Sequence, residues 1–415
     1  MDVHHTPDTT PQKPSSAGSY GDIIINDDHV LKRPQSRSKF PYFVREMATL
    51  KLLKEANVPH VVRLLDVEND GTLRLERHDG DLYDVEETAL STENDVVRTI
   101  YRILVAMTNL QGLHLSHRDI KPENVLSSKS GDRVALCDFG LCRYYSHGQQ
   151  PAQCTTSVQT AIFRSPELLF APLVEDDIEV DIGPVNPHNL DVWSLGLTAL
   201  KLLNLEDLMP PHIVEGELTL EELYGIYQQY YDGEECDLRT YALSYPDISE
   251  FMTDFLLVVS DMLTINSQYR PDPQTLLNNP IFDEYRSTDD IIDSDSFNEK
   301  RVQYLQTIIP EKEEDAMMKS RLMEIAHYHY NNVESARLAI CMLYLLKARG
   351  TSLDLETDEL LELVIALAAA IFDTDVIDMS RTKASKVLKA LDYDLLQPVN
   401  HPVITQRLAK LFSTV

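Results

Sequence analysis

The sequence predicts an α+β chain in three parts: a small β-rich segment, a larger α-rich segment and an all-α end. Three observations carry this. Short apolar runs around turn residues crowd the stretch before residue 78. From about Thr92 to Phe282 the pattern is mostly helical, and from Val302 onward it is helical throughout. No tandem repeat interrupts the order.

Taken in sequence, residues 1–15 are rich in Pro, Thr, Ser and His without periodicity and read as a disordered tail. Residues 16–78 form the β-rich part. Ile23-Ile24-Ile25 and Val30-Leu31 flank Asn26-Asp27-Asp28, a hairpin signal from Asp22 to Lys32. Phe43 to Glu55 places Met47, Leu50 and Leu53 at helical spacing. Val61–Val67 and Thr72–Glu76 read as strands around the turn Asn69-Asp70-Gly71. Residues 79–285 form the helical part, and the acidic, Ser-rich residues 286–299 read as a linker. Residues 300–415 form the last domain, with helices expected at Leu322–Tyr330, Glu334–Lys347, Asp358–Phe372 and Ser380–Leu391. Leu360 to Phe372 is apolar nearly all round, so its neighbours should bury it.

Composition bounds the function. Of 415 residues 43% are hydrophobic, enough for packed cores, and the formal net charge is −30. That charge argues against nonspecific binding to nucleic acid or anionic membrane and suits a soluble protein meeting basic partners; acidic clusters also serve solubility alone. Cys137, Cys142, Cys154, Cys236 and Cys341 form no CxxC pair and read as reduced intracellular thiols, nuclear or cytoplasmic. Met1 to Tyr20 is polar, unlike a signal peptide, and the longest apolar run is too short to span a bilayer.

The segment that carries chemistry is His117-Arg118-Asp119-Ile120-Lys121-Pro122-Glu123-Asn124, followed by Asp138-Phe139-Gly140. It resembles the eukaryotic protein kinase family, matching its H-R-D-x-x-x-x-N and D-F-G motifs over roughly Gly18 to Phe282. The resemblance implies a bilobal kinase fold that transfers the γ-phosphate of ATP with Mg²⁺. Such transfer needs positioning, charge neutralisation and an oriented hydroxyl. By the match, Asp119 accepts the substrate hydroxyl proton, Asn124 and Asp138 supply oxygens to Mg²⁺, and Lys121 faces the γ-phosphate as in Ser/Thr kinases. Val30-Leu31-Lys32 stands where that family has V-A-I-K, so Lys32 should hold the α- and β-phosphates and Glu46 should pair with Lys32. Leu75, Glu76 and His78 should join the ATP-binding residues. Ser16-Ala17-Gly18-Ser19-Tyr20-Gly21-Asp22-Ile23 fits the phosphate-covering G-x-G-x-x-G-x-V only with Ser16 for the first Gly, and a plain turn is the alternative.

Further residues look like a cyclin-dependent kinase. Ser165-Pro166-Glu167 stands for A-P-E, with Arg270 placed to pair with Glu167. Arg164 is similar to the Arg that shapes a pocket for Pro after the phosphoacceptor, and Thr160 to the Thr that orients Asp119 and Lys121. Thr155, with Thr156 and Ser157 as neighbours, stands where the activating phosphothreonine sits; Arg45, Arg118 and Arg143 match the arginines that hold it. Ser19 and Tyr20 match paired inhibitory phosphosites, and Thr10-Pro11 has the form of an autophosphorylation site. The implied partners are proteins with Ser/Thr-Pro sites.

In the last domain, Leu322 to Ile325, Glu334 to Ile340, Ala366 to Asp373 and Lys386 to Leu395 are similar to the helices of a cyclin box. The Lys and Glu with which cyclins grip a kinase align with Ile371 and Ala384, so the grip would be apolar. The resemblance implies activation by this domain through a tether of about fifteen residues, or by a separate cyclin. A catalytically weak scaffold for cell-cycle or transcription partners is the competing function.

Overall fold

The computed structural model describes residues 16–413 except 18–20, 35, 37–38, 69, 84–89, 91, 146–158, 176–177, 179, 182, 184–185, 210–218, 232–236, 245–248, 311–317, 319, 322–324, 326–332, 351–352, 354–356, 373–380 and 400. The tail, with Thr10 and Pro11, therefore lies outside the described residues.

The small lobe is an antiparallel sheet of β1 (Ser16–Ala17), β2 (Gly21–Ile25), β3 (His29–Pro34), β4 (Leu64–Val67) and β5 (Leu73–Glu76), in the order β1-β2-β3-β5-β4. The expected hairpin registers Ile23 against Lys32. The strand expected from Val61 begins at Leu64, because Val61 instead bridges to Leu136 in the large lobe. Between β3 and β4 runs α1 (Phe40–Glu55), started by Pro41, whose missing N–H costs nothing in a first turn. It is buried along most of its length, more than one lobe contact would require.

The large lobe begins with α2 (Glu93–Gly112), held at its N-terminus by a capping box between Thr92 and Asp95. It is not purely helical. Short strands β6 (Gly80–Asp81), β7 (Leu115–Ser116), β8 (Val125–Ser127), β9 (Val134–Leu136) and β10 (Arg143–Tyr144) frame the catalytic loop, in sheets β6-β8-β9 and β10-β7. Strands of two or three residues are too short to show alternation, so the sequence pattern missed them. Then follow α3 (Pro166–Leu169), α4 (Ala171–Glu175), α5 (Asn189–Leu202), α6 (Leu220–Tyr231), α7 (Asp237–Ser244), α8 (Glu250–Met262) and α9 (Pro273–Leu277). Almost every residue of α5 is buried, which makes it the central post of the lobe. The expected Arg270–Glu167 pair forms at 2.9 and 3.1 Å, with both side chains fully buried. Breaking a buried pair strands a charge, so Arg270→Ala should cost about 3–5 kcal/mol. A urea-denaturation loss below about 1 kcal/mol would contradict that.

The acidic stretch 286–299 is not a flexible tether. Asn109 of α2 donates to the Asp290 carbonyl at 2.7 Å and accepts from the Ile292 N–H at 2.9 Å, while the Tyr101 hydroxyl donates to the Asp290 carboxylate. Asp293 then caps α10 (Ser294–Ile308), which buries Val302 and Leu305. Only its start, Ser294–Glu299, read as linker, because charged and polar neighbours dilute the apolar stripe there, whereas the pattern from Val302 onward read as helical.

Beyond it lie α11 (Val333–Ala348), α12 (Thr357–Ile371), α13 (Arg381–Ala390) and α14 (Pro402–Ser413). The helix expected at Leu322–Tyr330 falls almost wholly outside the described residues. The apolar α12 is covered on one side by α11 and on another by α1 of the small lobe. No helix among the described residues is long and apolar enough to cross a membrane.

Candidate active site

The site lies where β3, α1, the catalytic loop and the D-F-G segment meet. Lys32 projects from β3 and Glu46 from α1, and the ammonium reaches Glu46 Oε1 at 2.7 Å and Asp138 Oδ1 at 2.9 Å. Burial works against the Lys32 ammonium, but the carboxylates of Asp138 and Glu46 outweigh it and hold its pKa above the ordinary lysine value. Burial raises the Glu46 carboxyl, an effect that Lys32 only partly offsets. Burial opposes ionisation of Asp138 too, yet the charge of Lys32 holds that carboxyl below its usual value. Lys32 thus favours the anion at both carboxylates, while burial weighs more heavily on Glu46.

Asp138 has a left-handed backbone, φ 61°, which turns the chain sharply into Phe139. Phe139 is buried and meets the His117 ring edge-on at 5.0 Å. The catalytic loop hangs on Asp191 at the start of α5. Its carboxylate accepts from Ser116 Oγ at 2.7 Å, His117 N at 2.6 Å and Arg118 N at 2.7 Å. Burial raises the Asp191 pKa although His117 and these donors oppose the rise. Arg118 is held at φ 65°, so the next residue, Asp119, faces the cleft.

Around Asp119 the donors converge. Oδ1 accepts from Thr160 N at 3.1 Å and Thr160 Oγ1 at 2.9 Å; Oδ2 accepts from Asn124 Nδ2 at 2.9 Å and lies 3.0 Å from Lys121 Nζ. Lys121 also donates to Thr160 Oγ1 at 2.7 Å. Asn124 commits its amide nitrogen to Asp119, so oxygen is the atom it has left for a metal. An amide oxygen and a low-pKa carboxylate are the donors a hard cation such as Mg²⁺ takes.

The segment expected to cover the nucleotide is described only at its flanks. Ser16 pairs with Ile23, and Gly21 lies in β2; Gly18, Ser19 and Tyr20 lie outside the described residues. Leu75 is buried in β5, with Glu76 beside it and His78 Nε2 3.3 Å from the Glu76 carboxylate. Thr155 lies outside the described residues, with Thr156 and Ser157. The three arginines matched to it gather behind D-F-G. Arg118 Nε donates to the Leu141 carbonyl at 2.7 Å, and Arg143 lies over the Tyr145 ring at 5.4 Å. Arg45 Nη1 donates to the Gly140 carbonyl at 3.2 Å, while its Nε and Nη2 reach the Ala370 carbonyl in α12 at 3.2 and 3.1 Å.

Sequence reasoning missed Gln159. It has φ 68°, and its carbonyl accepts from Arg164 Nη2 at 3.2 Å. A lone Gln carries no motif, so nothing in the sequence marked it.

Residues 29–282 match the family described as protein kinase domain, so the match begins at β3, beyond the weak phosphate-loop motif. The chain is similar to cell division control protein 2 homolog 2 of Trypanosoma brucei brucei, 29% identical over 224 residues, covering 51% of this chain and 59% of that protein. It is 30% identical over 239 residues to cyclin-dependent kinase C-2 of Arabidopsis thaliana, covering 51% and 43%. Mitogen-activated protein kinase PMK11 of Pyricularia oryzae is 24% identical over 273 residues, covering 60% and 72%. The chain thus spans 59% of the Trypanosoma relative's length and 43% of the Arabidopsis relative's.

Proposed function

The chain belongs to the protein kinase domain family, and we propose that it phosphorylates protein Ser or Thr followed by Pro, with its own C-terminal helices as activator. The observation that carries the kinase reading is the closed Lys32–Glu46 pair beside Asp138, with Asp119, Lys121, Asn124 and Thr160 already bonded together. Lys32 would hold the α- and β-phosphates of ATP, and Asn124 and Asp138 would hold Mg²⁺. The bound cation supplies charge neutralisation on the phosphates. Asp119 accepts the proton of the substrate hydroxyl and aims its oxygen. Lys121, clasped between Asp119 and Thr160, stabilises the charge of the phosphoryl group in transit.

The proline preference is supported by Gln159 and Arg164. The Gln159 carbonyl is turned toward Arg164, away from where it could accept the N–H of the residue after the phosphoacceptor. Proline has no N–H to satisfy. Activation in cis is supported by the seat of α12 on α1, the helix that carries Glu46. Ile371 and Ala384, the positions aligned with the cyclin Lys and Glu, are 1% and 0% exposed, in keeping with an apolar grip. A polar contact flanks it: Lys51 of α1 reaches Asp392 at 2.9 Å.

The test is transfer from labelled ATP with Mg²⁺ to a Ser-Pro peptide by the purified full chain, with no partner added. Lys32→Met should lower kcat/KM by at least about 100-fold, as expected for loss of a phosphate-positioning charge. No turnover by the wild-type chain would favour the scaffold reading instead.

A further inference from the structure

We infer that the cleft between α10, α14 and β10 is a docking site for an arginine side chain on a partner protein. The cleft measures about 370 Å³. That is near the small end of the range for ligand clefts, about 300–1,000 Å³, and suits one long side chain. Three parts of the chain wall it. From α10 come Asp295, Glu299 and Val302, which recur at helical spacing and so share one face. His114, just before β7, and Tyr144 of β10 bring rings that meet edge-on at 6.4 Å. Val403 comes from the first turn of α14.

The charge of the occupant follows from α10. Asp295 and Glu299 stand one turn apart, an unfavourable spacing for two like charges on a helix. Neither carboxylate has a hydrogen-bond or ion-pair partner among the described residues. Arg301, on another face of α10, is committed to Asp394 at 2.7 Å. With 37 Lys and Arg against 67 Asp and Glu, the chain has few cations free for this cleft, so the counter-charge comes from a partner. A metal ion does not fit, because among the described residues no three of His, Cys, Asp and Glu gather closely enough to hold one. An organic cation does. Arginine suits the walls better than lysine: its planar fork can bond both carboxylates, and its flat, weakly hydrated face can lie on an aromatic ring such as that of Tyr144. Its methylenes would run along the buried Val302. Val403 is 40% exposed and leaves apolar surface for the residue next to the arginine.

The test titrates the full chain into a dye-labelled peptide, Ala-Gly-Arg-Leu-Gly-Ala, and reads fluorescence anisotropy. The comparison peptide carries citrulline, which keeps the shape of arginine and lacks its charge. The wild type should bind the arginine peptide on the order of tenfold more tightly, the advantage of charge-assisted over neutral hydrogen bonds. A lysine peptide should fall between the two, and lysine matching arginine would overturn the choice of guanidinium. The double variant Asp295→Asn/Glu299→Gln should bind the arginine and citrulline peptides alike. Both positions are exposed and the substitutions remove a like-charge contact, so its melting temperature should not fall. The control is the acidic edge of a second cleft, at Asp254 and Glu284 between α8 and the end of the large lobe. Asp254→Asn/Glu284→Gln should keep the arginine preference; losing it there to the same extent would mean general attraction to an acidic chain and would overturn the site. So would equal affinity of the wild type for the arginine and citrulline peptides, a Kd for the arginine peptide weaker than about 1 mM, or an arginine preference that survives Asp295→Asn/Glu299→Gln.

Discussion

Asp119→Asn should lower kcat on a Ser-Pro peptide by about 10²- to 10⁴-fold, the range for loss of a positioned general base. KM for ATP should change little, because Lys32 and the nucleotide side of the cleft are untouched. The expected loss has two sources. An amide cannot take the substrate proton. It also cannot match its surroundings: Oδ1 accepts from both donors of Thr160, and Oδ2 accepts from Asn124 with Lys121 beside it. Whichever way the new amide turns, its NH₂ meets donors and pushes Thr160 or Asn124 away. Lys32→Met makes the contrast, since it should raise KM for ATP as well as lower kcat. Steady-state kinetics on both variants separates the two roles; a kcat for Asp119→Asn within about threefold of wild type would exclude Asp119 as the base.

The sequence showed most readily what is compressed into short stretches of side chains. Asp119, Lys121, Asn124 and Asp138 lie within one loop and one turn, and residue identity alone nearly states their chemistry. Lys32 and Glu46 were legible through the resemblance, because Val30-Leu31-Lys32 stands where the kinase family has V-A-I-K and Glu46 lies on the helix that follows. The apolar periodicity of α11, α12 and α13 marked those helices, but the first turns of α10, Ser294–Glu299, were hidden by the acidic residues that share their surface. What the sequence could not reveal are contacts made by the backbone. Arg45 was expected to hold a phosphate; its guanidinium reaches Ala370 across 325 positions of chain, and the acceptor is a carbonyl, which every residue has. The role of Gln159 depends on a positive φ and on partners in α5. Neither leaves a trace in residue type.

That same guanidinium carries the second large effect: Arg45→Ala should lower kcat/KM by about tenfold or more without touching a group that meets the nucleotide. Arg45 and Glu46 are neighbours on α1, about 100° apart around the helix. Glu46 faces Lys32, while Arg45 bridges the Gly140 carbonyl behind D-F-G and the Ala370 carbonyl in the last turn of α12. A cation at a helix C-terminus satisfies an orphan carbonyl and meets the negative end of the helix dipole. Removing it leaves two buried acceptors without this donor, each worth about 1–3 kcal/mol, and one or both would be recovered by letting α1 shift. A shift of α1 lengthens the Lys32–Glu46 contact, which is how a change at the α12 seat reaches the phosphates. Arg45→Lys should restore only part of the loss, because one ammonium lacks the planar fork that spans both carbonyls. If Arg45 acted only by holding a phosphate on Thr155, then Thr155→Ala would reproduce the whole defect and the double variant would be no worse. Acting through α12, Arg45→Ala should instead cost a comparable factor in the Thr155→Ala background as in the wild type, measured as kcat/KM on the same peptide.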